Sequence, residues 1–358
     1  MNLLETLYGA KLKNSLFYDR KIKITHKKTL LLGPRKSGKT HLVIDYLQKF
    51  DASEYLYIDF GDVRVDKSEI DYLKLKNFIV KNSIKLLILE NFDLSFEIPP
   101  VDEIIITSTN KALHVENFDR LFLYPLDFEE FIAFNKKFIN AEQLFNIYSN
   151  RGSLAEIILF SEENYLVRLQ RIARELFDSR VEYLIFKKFC ELQSTKASLF
   201  QIYNQLKTKT KISKDLLYNV SKKLQNSEII FFLEKYGHEK VTKKIYLFDF
   251  AIKNALTYKK DFLKRFENMV FAELYKKNEK LFYSDYLDFY IPQKNEGIIC
   301  SPFTPIENLK PRLEKYEEHF SSLGVENIKI ITIGNEEKFN IKDINFEQIT
   351  FWDWALGD

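Results

Sequence analysis

From Lys23 to about Pro125, short apolar runs alternate with stretches of helical periodicity. Thr29–Leu32, Tyr55–Phe60, Lys85–Leu89, Glu103–Thr107 and Leu121–Tyr124 are predicted strands. Lys39–Phe50 and Asp66–Asn82 are predicted helices between them. The runs Leu86–Leu89 and Ile104–Ile106 hold no polar position. That suits parallel strands covered on both faces, and strands alternating with helices predict an α/β domain.

After this block the pattern turns helical, over Phe128–Phe138, Ala141–Ser149, Leu154–Phe160 and Glu163–Phe177, which reads as a small helical lid. A second helical block, Arg180–Asn226, leads into Ile229–Glu234, a turn at Tyr236–His238, and Lys244–Phe248. Helices followed by strand, turn and strand predict a winged helix. Beyond Tyr258 come a helix at Asp261–Lys277 and strands near Leu281–Ser284, Asp288–Ile291 and Gly297–Cys300. A helix at Lys310–Leu323 and a strand at Ile328–Thr332 follow. The predicted organisation is a core over 1–127, a lid over 128–177, a winged helix over 178–258 and a small α/β domain over 259–358.

Composition narrows the picture. With 46% hydrophobic and 29% charged residues the chain can build cores, which excludes disorder. Two cysteines, Cys190 and Cys300, exclude a disulfide framework and a four-cysteine zinc site, and a reducing cytoplasm is the expected compartment. Neither a signal peptide nor a membrane-spanning run is expected. The net charge of +3 conceals an asymmetry. Between Arg180 and Lys260 there are 17 Lys and Arg against 7 Asp and Glu, whereas the remainder has 37 against 44. Such a concentration points to a nucleic-acid contact in that segment.

The chain has only ten glycines, and two of them lie five apart in one stretch. Gly33, Pro34, Arg35, Lys36, Ser37, Gly38, Lys39 and Thr40 fit the pattern G-x-x-x-x-G-K-[ST]. A strand precedes the stretch and a helix follows, the context in which loop amides turn inward onto phosphates. With His41 next in the helix, this is the candidate cofactor-binding segment, for ATP or ADP. Lys39 is expected to reach the β- and γ-phosphates, and Thr40 to ligate Mg²⁺.

Such a site needs an acid at the end of a neighbouring strand. Here Lys85–Leu89 runs into Glu90, Asn91, Phe92 and Asp93. Aligned on the strand end, Glu90 takes the metal side and Asn91 the general-base position, although an amide cannot accept a proton as a carboxylate does. A shift by one residue makes Glu90 the base and leaves Leu89 where the metal ligand belongs. A solvated turn is the third reading. After the next strand, Ser108 and Thr109 stand either as γ-phosphate sensors or as a helix cap.

Together these residues resemble the AAA-type ATPases of the archaeal-ATPase group, relatives of the STAND NTPases. The resemblance rests on the phosphate loop, Tyr57 to Asp59 with Asp62 to Arg64, the Glu90 region, Ser108 and Thr109, and Leu123 to Phe131, which is similar to a "PLSFxEF" signature. It implies a P-loop (AAA/ASCE) parallel sheet with a helical lid, a winged helix and a restriction-endonuclease-like domain. Arg120 lies where the family carries an arginine; a trans-acting role and a surface role both fit. The family's Gly-Gly-x-Pro lid segment is reduced here to Arg151 to Leu154.

In active nuclease-like relatives, an acid from a helix, an Asp on a strand and a Glu-x-Lys surround a divalent metal. Glu267 and Asp288 match the first two, but Gly297 to Pro302 carries no Glu-x-Lys, which implies a degenerate nuclease fold. In the basic segment, Ser213 is a predicted helix cap. Leu216, Leu217, Val220 and Leu224 form the predicted buried face of its helix. Lys214, Tyr218, Lys222 and Lys223, with Lys243 by the wing, are the candidate contacts to double-stranded DNA. A solvated face or a protein-docking surface is the alternative. The expected function is ATP binding with weak hydrolysis, coupled to DNA or a DNA-associated partner, or else a nucleotide-dependent switch without either; a homo-oligomer or protein partner is expected in both cases.

Overall fold

A computed structural model describes residues 3–9, 19–135, 140–158, 164–177, 179–238, 240–277 and 279–357. The chain divides into two compact units, Met1–Pro125 with Asn226–Glu228, and Leu126–Gln225 with Ile229–Asp358.

The first unit runs α1 (Leu3–Leu7), β1 (Lys28–Leu32), α2 (Lys39–Leu47), β2 (Tyr55–Asp59), α3 (Tyr72–Asn82), β3 (Leu86–Glu90), β4 (Glu103–Ser108) and β5 (Asp119–Phe122). All its strand pairs are parallel, in the order β2-β3-β4-β1-β5. Successive side chains of a strand point to opposite faces, and here both faces are apolar. Leu30, Leu32, Leu87, Leu89, Ile104 and Ile106 pack with Leu75, Phe78 and Ile79 of α3. Leu31, Leu86, Ile88 and Ile105 pack with Leu42, Val43 and Leu47 of α2. That is why the runs carry no polar residue. The predicted helix over Asp66–Asn82 is split. Asp66 accepts from the Ser68 amide to cap a single 3₁₀ turn, and Asp71 accepts from the Lys74 amide to start α3 afresh. Strand order and the β1–loop–α2 unit together make this an α/β P-loop nucleotide-binding fold. The chain leaves the interior strand β1 for the far edge and later returns to its other side, so the carboxyl end of β1 is the switch point where such sheets bind ligands.

The second unit begins with α4 (Phe128–Phe134), α5 (Ala141–Arg151), α6 (Ala155–Ile158) and α7 (Tyr165–Glu175). The predicted helix ends at Phe138, Phe160 and Glu163 lie outside the described residues. Next come α8 (Arg180–Glu191), β6 (Lys196–Ala197), α9 (Leu199–Lys207), α10 (Lys214–Asn226), β7 (Ile230–Leu233) and β8 (Lys243–Leu247), the strands forming an antiparallel sheet β6-β8-β7. The remainder is α11 (Ile252–Leu256), α12 (Phe262–Lys276), β9 (Phe289–Ile291), β10 (Glu296–Cys300), α13 (Ile306–Ser322), β11 (Asn327–Thr332), β12 (Glu337–Ile341), β13 (Ile344–Thr350) and α14 (Phe351–Leu356). Its sheet, β12-β13-β11-β10-β9, is mixed: β13, β11 and β10 are parallel and the two edges antiparallel. Leu281–Ser284, expected as a strand, makes only single bridges, from Phe282 to Tyr290 and from Tyr283 to Lys235.

An aromatic cluster joins the helices of this unit: Phe128 and Tyr148 at 5.3 Å, Phe145 and Phe266 at 6.3 Å, and Phe351 against Phe128 of α4 and Phe145 of α5. Buried Asn268 of α12 accepts from the Leu247 amide and donates to the Leu247 carbonyl, closing the end of β8. Gly152 cannot carry a side chain: its φ is 89°, and a Cβ would lie 2.4 Å from the Asp249 carboxylate. That carboxylate accepts from the Ser153 amide and hydroxyl at 2.7 and 3.0 Å. No described helix is long and apolar enough to cross a membrane.

Candidate nucleotide site

The loop between β1 and α2 is shaped by its backbone. Gly33 has φ 146° and Gly38 φ 101°, and a Cβ on Gly33 would meet the Leu123 carbonyl oxygen at 2.1 Å. Lys36 also lies in the left-handed region, at φ 69°. Lys39 is buried and donates from Nζ to the Gly33 and Pro34 carbonyls at 2.8 and 2.9 Å. Burial pulls its ammonium down to about 8; Glu90 opposes this, Arg35 adds to it, and Glu228 opposes it. The Ser37 hydroxyl is buried and has no hydrogen-bond partner among the described residues. An orphaned hydroxyl over a glycine that tolerates no Cβ is what a loop built for phosphate oxygens should present. The residues therefore fit a nucleotide. Arg35 and His41 are exposed at the loop and on the first turn of α2.

Across the sheet end, the Thr40 hydroxyl donates to Glu90 Oε1 and the Tyr57 hydroxyl to Glu90 Oε2. Glu90 ends β3 almost wholly buried; burial raises its carboxyl, and the two hydroxyls hold it down. Asn91 follows at φ 55°. Its amide NH₂ donates to Asp59 Oδ1 at 2.8 Å and its backbone N–H to the Thr107 hydroxyl at 3.0 Å. Asp59 also accepts from the Gly61 amide at 2.8 Å. Ser108 lies opposite Leu32 in the β4–β1 register, and its hydroxyl accepts from the Asn110 amide at 3.3 Å. A turn follows it, so this hydroxyl caps a turn and not a helix; Thr109 is half-buried beside it. Arg120 is exposed and donates to the Lys111 carbonyl at 2.6 Å.

Three contributors were not apparent in the sequence. Arg20, buried, donates to the Ser37 carbonyl and the Tyr124 carbonyl, both at 2.8 Å, and so clamps the loop to the end of β5. Tyr57 belonged to the family pattern without a role. Glu228, 189 positions beyond Lys39, is buried at φ 55° in the segment that groups with this unit, and accepts from the Tyr124 hydroxyl at 3.4 Å. No local pattern announces Arg20 or Glu228 or gives Tyr57 its role, because each acts through tertiary proximity.

No family model matches the chain. An uncharacterized protein of Methanocaldococcus jannaschii, MJ1544, is 27% identical over 425 aligned residues, covering 99% of this chain and 94% of that protein. Among solved structures, the Walker-type ATPase PABY2304 of Pyrococcus abyssi aligns with a TM-score of 0.45 at 15% identity, over 64% of this chain and 90% of its own. The Aeropyrum pernix ORC1 protein in complex with DNA aligns with a TM-score of 0.29 at 15% identity, over 65% and 87%. At these scores the assignment of a P-loop fold stands on strand order and loop geometry.

The other candidate residues lie in the second unit. Ser213 caps α10, its hydroxyl accepting from the Leu216 amide at 3.1 Å. Leu217, Val220 and Leu224 are buried as the periodicity requires, while Leu216 is exposed. Lys214, Tyr218 and Lys222 lie on the exposed side of α10, with Lys214 5.0 Å from the centre of the Phe200 ring. Lys223 pairs with Glu182 at 3.1 Å, and Lys243 pairs with Glu234.

Glu267 and Asp288 do meet, and a lysine stands between them, drawn from β8 and not from a Glu-x-Lys. Lys244 Nζ is 2.9 Å from Glu267 Oε1 and 2.9 Å from Asp288 Oδ1. Tyr246 donates to the same Glu267 oxygen at 2.7 Å, and the Cys300 amide to Asp288 Oδ2 at 2.9 Å. Burial works against the Lys244 charge, but the two carboxylates outweigh it and hold the ammonium above its ordinary range.

Proposed function

We propose that the chain is an AAA-type ATP-binding protein that hydrolyses ATP slowly. We further propose that it couples its nucleotide state to double-stranded DNA or a DNA-associated partner, as a monomer or a homo-oligomer. The observation that carries the reading is the convergence at the carboxyl end of β1: a buried Lys39 on neutral carbonyls, an unpartnered Ser37 hydroxyl, and Thr40 bonded to Glu90. Lys39 would exchange two carbonyls for phosphate oxygens, and the backbone N–H groups of Arg35 to Thr40 would line the rest. Thr40 and Glu90 would hold Mg²⁺, which supplies charge neutralisation at the phosphates. Ser108 and Thr109, beside β1, are suited to reading the γ-phosphate.

Slow hydrolysis is supported by Asn91. Its amide donates to Asp59, so the general-base position is filled by a donor, and the adjacent carboxylate already accepts from that amide and from Gly61. The same observation favours a second reading, a nucleotide-dependent switch without significant hydrolysis or DNA binding.

The DNA half of the proposal rests on reading α8 to α10 with the β6-β8-β7 sheet as a winged helix, preceded by a helical lid and followed by a degenerate nuclease-like domain. Lys214, Tyr218 and Lys222 carry it, because Lys223 and Lys243 are held in ion pairs.

ATP binding and ATP turnover, measured side by side with and without DNA, test the proposal. Lys39→Ala should weaken binding about 10- to 100-fold. Asn91→Glu should raise turnover on the order of 100-fold. Absence of ATP binding by the unaltered chain sinks the proposal; rapid turnover by it removes the slow-hydrolysis part. Turnover and affinity both indifferent to DNA leave the switch.

A further inference from the structure

A cavity of about 490 Å³ opens in the second unit beside the Lys244 cluster. Its acids are committed. Asp288 is held by Lys244 and the Cys300 amide, and Asp285 by Lys235 at 2.8 Å. Two of its three cations are not. Lys196 of β6 lies directly opposite Lys244 in the β6–β8 register, an arrangement that places two like charges across a strand pair and costs stability. Lys244 is neutralised by two carboxylates, but Lys196 makes no ion pair among the described residues: it rests on the Tyr283 ring, 4.7 Å from its centre, and Asp285 and Asp288 act on it through their field. Arg312 of α13 lines the same cavity, exposed and without an ion pair among the described residues. The same lining holds an aromatic pair: Tyr286 stacks on Tyr316 with centroids 3.8 Å apart, and remains 42% exposed.

From this juxtaposition we infer that the cavity is a second ligand site, for a 5′-nucleotide unit, its phosphate between Lys196 and Arg312 and its base against Tyr286. Two cations that make no ion pair among the described residues, in one cavity lining, call for an anion of more than one oxygen, which a phosphate supplies. The volume exceeds what a bare phosphate fills and lies in the range of small-molecule pockets. A half-exposed tyrosine already stacked on one face is a platform for a planar ring. The unit can come from a free nucleotide or from the phosphorylated end of a strand. This site is independent of the phosphate loop.

Equilibrium binding to the full chain carrying Lys39→Ala tests the inference, with AMP, adenosine, and a ten-nucleotide DNA strand with or without a 5′-phosphate as probes. AMP or the phosphorylated strand should bind, and adenosine and the unphosphorylated strand at least about tenfold more weakly. The tighter of the two phosphorylated probes identifies the source. Lys196→Glu and Arg312→Glu, both at exposed positions, should each weaken binding about tenfold, and Tyr286→Ala at least about fivefold. Added salt should weaken it further. Loss of all binding in the Lys39→Ala chain, equal binding of the unphosphorylated probes, or indifference to both charge reversals would overturn the site.

Discussion

Two lysines of this chain are buried beside carboxylates, and they are held in opposite ways. Lys39 donates to two carbonyls, with Glu90 and Glu228 acting on it only through their field, and burial brings its ammonium down to about 8. Lys244 makes contact with two carboxylates, which keep it firmly charged. Neutral acceptors can be exchanged for a phosphate at small electrostatic cost. A buried carboxylate and a half-buried one beside it cannot be left without their cation at small cost. The first lysine is available to a ligand, and the second is part of the fold.

The largest expected effect lies at the second lysine. Lys244→Met strands Glu267 and Asp288, and should cost about 3–5 kcal/mol in denaturant unfolding. Adding Glu267→Gln and Asp288→Asn should recover most of it. A loss no larger than that of an exposed lysine would erase the distinction between the two sites.

Glu273, on the same helix as Glu267, sharpens the comparison because hydroxyl and amide donors hold it in place of a touching cation. It accepts from the Tyr148 hydroxyl and the Phe128 amide, both at 3.0 Å. Burial pushes its carboxyl up to about 7, Lys276 opposing. Below an unfolded value near 4.5, both states are protonated. Between about 4.5 and 7 the unfolded chain loses its proton first, so stability falls as pH rises, by up to about 3 kcal/mol, and then levels. Unfolding of Glu273→Gln against pH should lack this slope; an unchanged slope would reassign it.

The smallest effect belongs to the first lysine. Lys39→Ala should leave the unfolding midpoint of the nucleotide-free chain within about 1 kcal/mol of the original, because only neutral acceptors are released to the loop. A loss comparable to that of Lys244→Met would make Lys39 structural.

Legibility follows the same division. The phosphate loop was readable because eight consecutive residues, a preceding strand and a following helix carry it. The parallel sheet was readable because strands buried on both faces have no polar positions to confuse the pattern. Strand β13 was missed although its burial alternates, because Gln348 and Thr350 occupy inward positions and dilute the apolar signal. Its partner β12 is mostly exposed and carries little signal at all. The chain carries no Glu-x-Lys at Gly297 to Pro302, yet a lysine reaches Glu267 and Asp288 from 23 and 44 positions away.

The sequence by itself determined the β1–loop–α2 unit, the buried strands around it, and the presence of an amide where a base would serve. These are encoded in neighbouring residues, whose spacing sets which face of an element they share. Tertiary structure alone decided that Arg20 and Glu228 belong to the loop, that Asn91 is turned to Asp59, and that Lys244 closes Glu267 of α12 and Asp288 just ahead of β9. Burial makes unpaired charge costly, so the fold selects partners by proximity in space, and proximity across distant segments leaves no trace in local spacing.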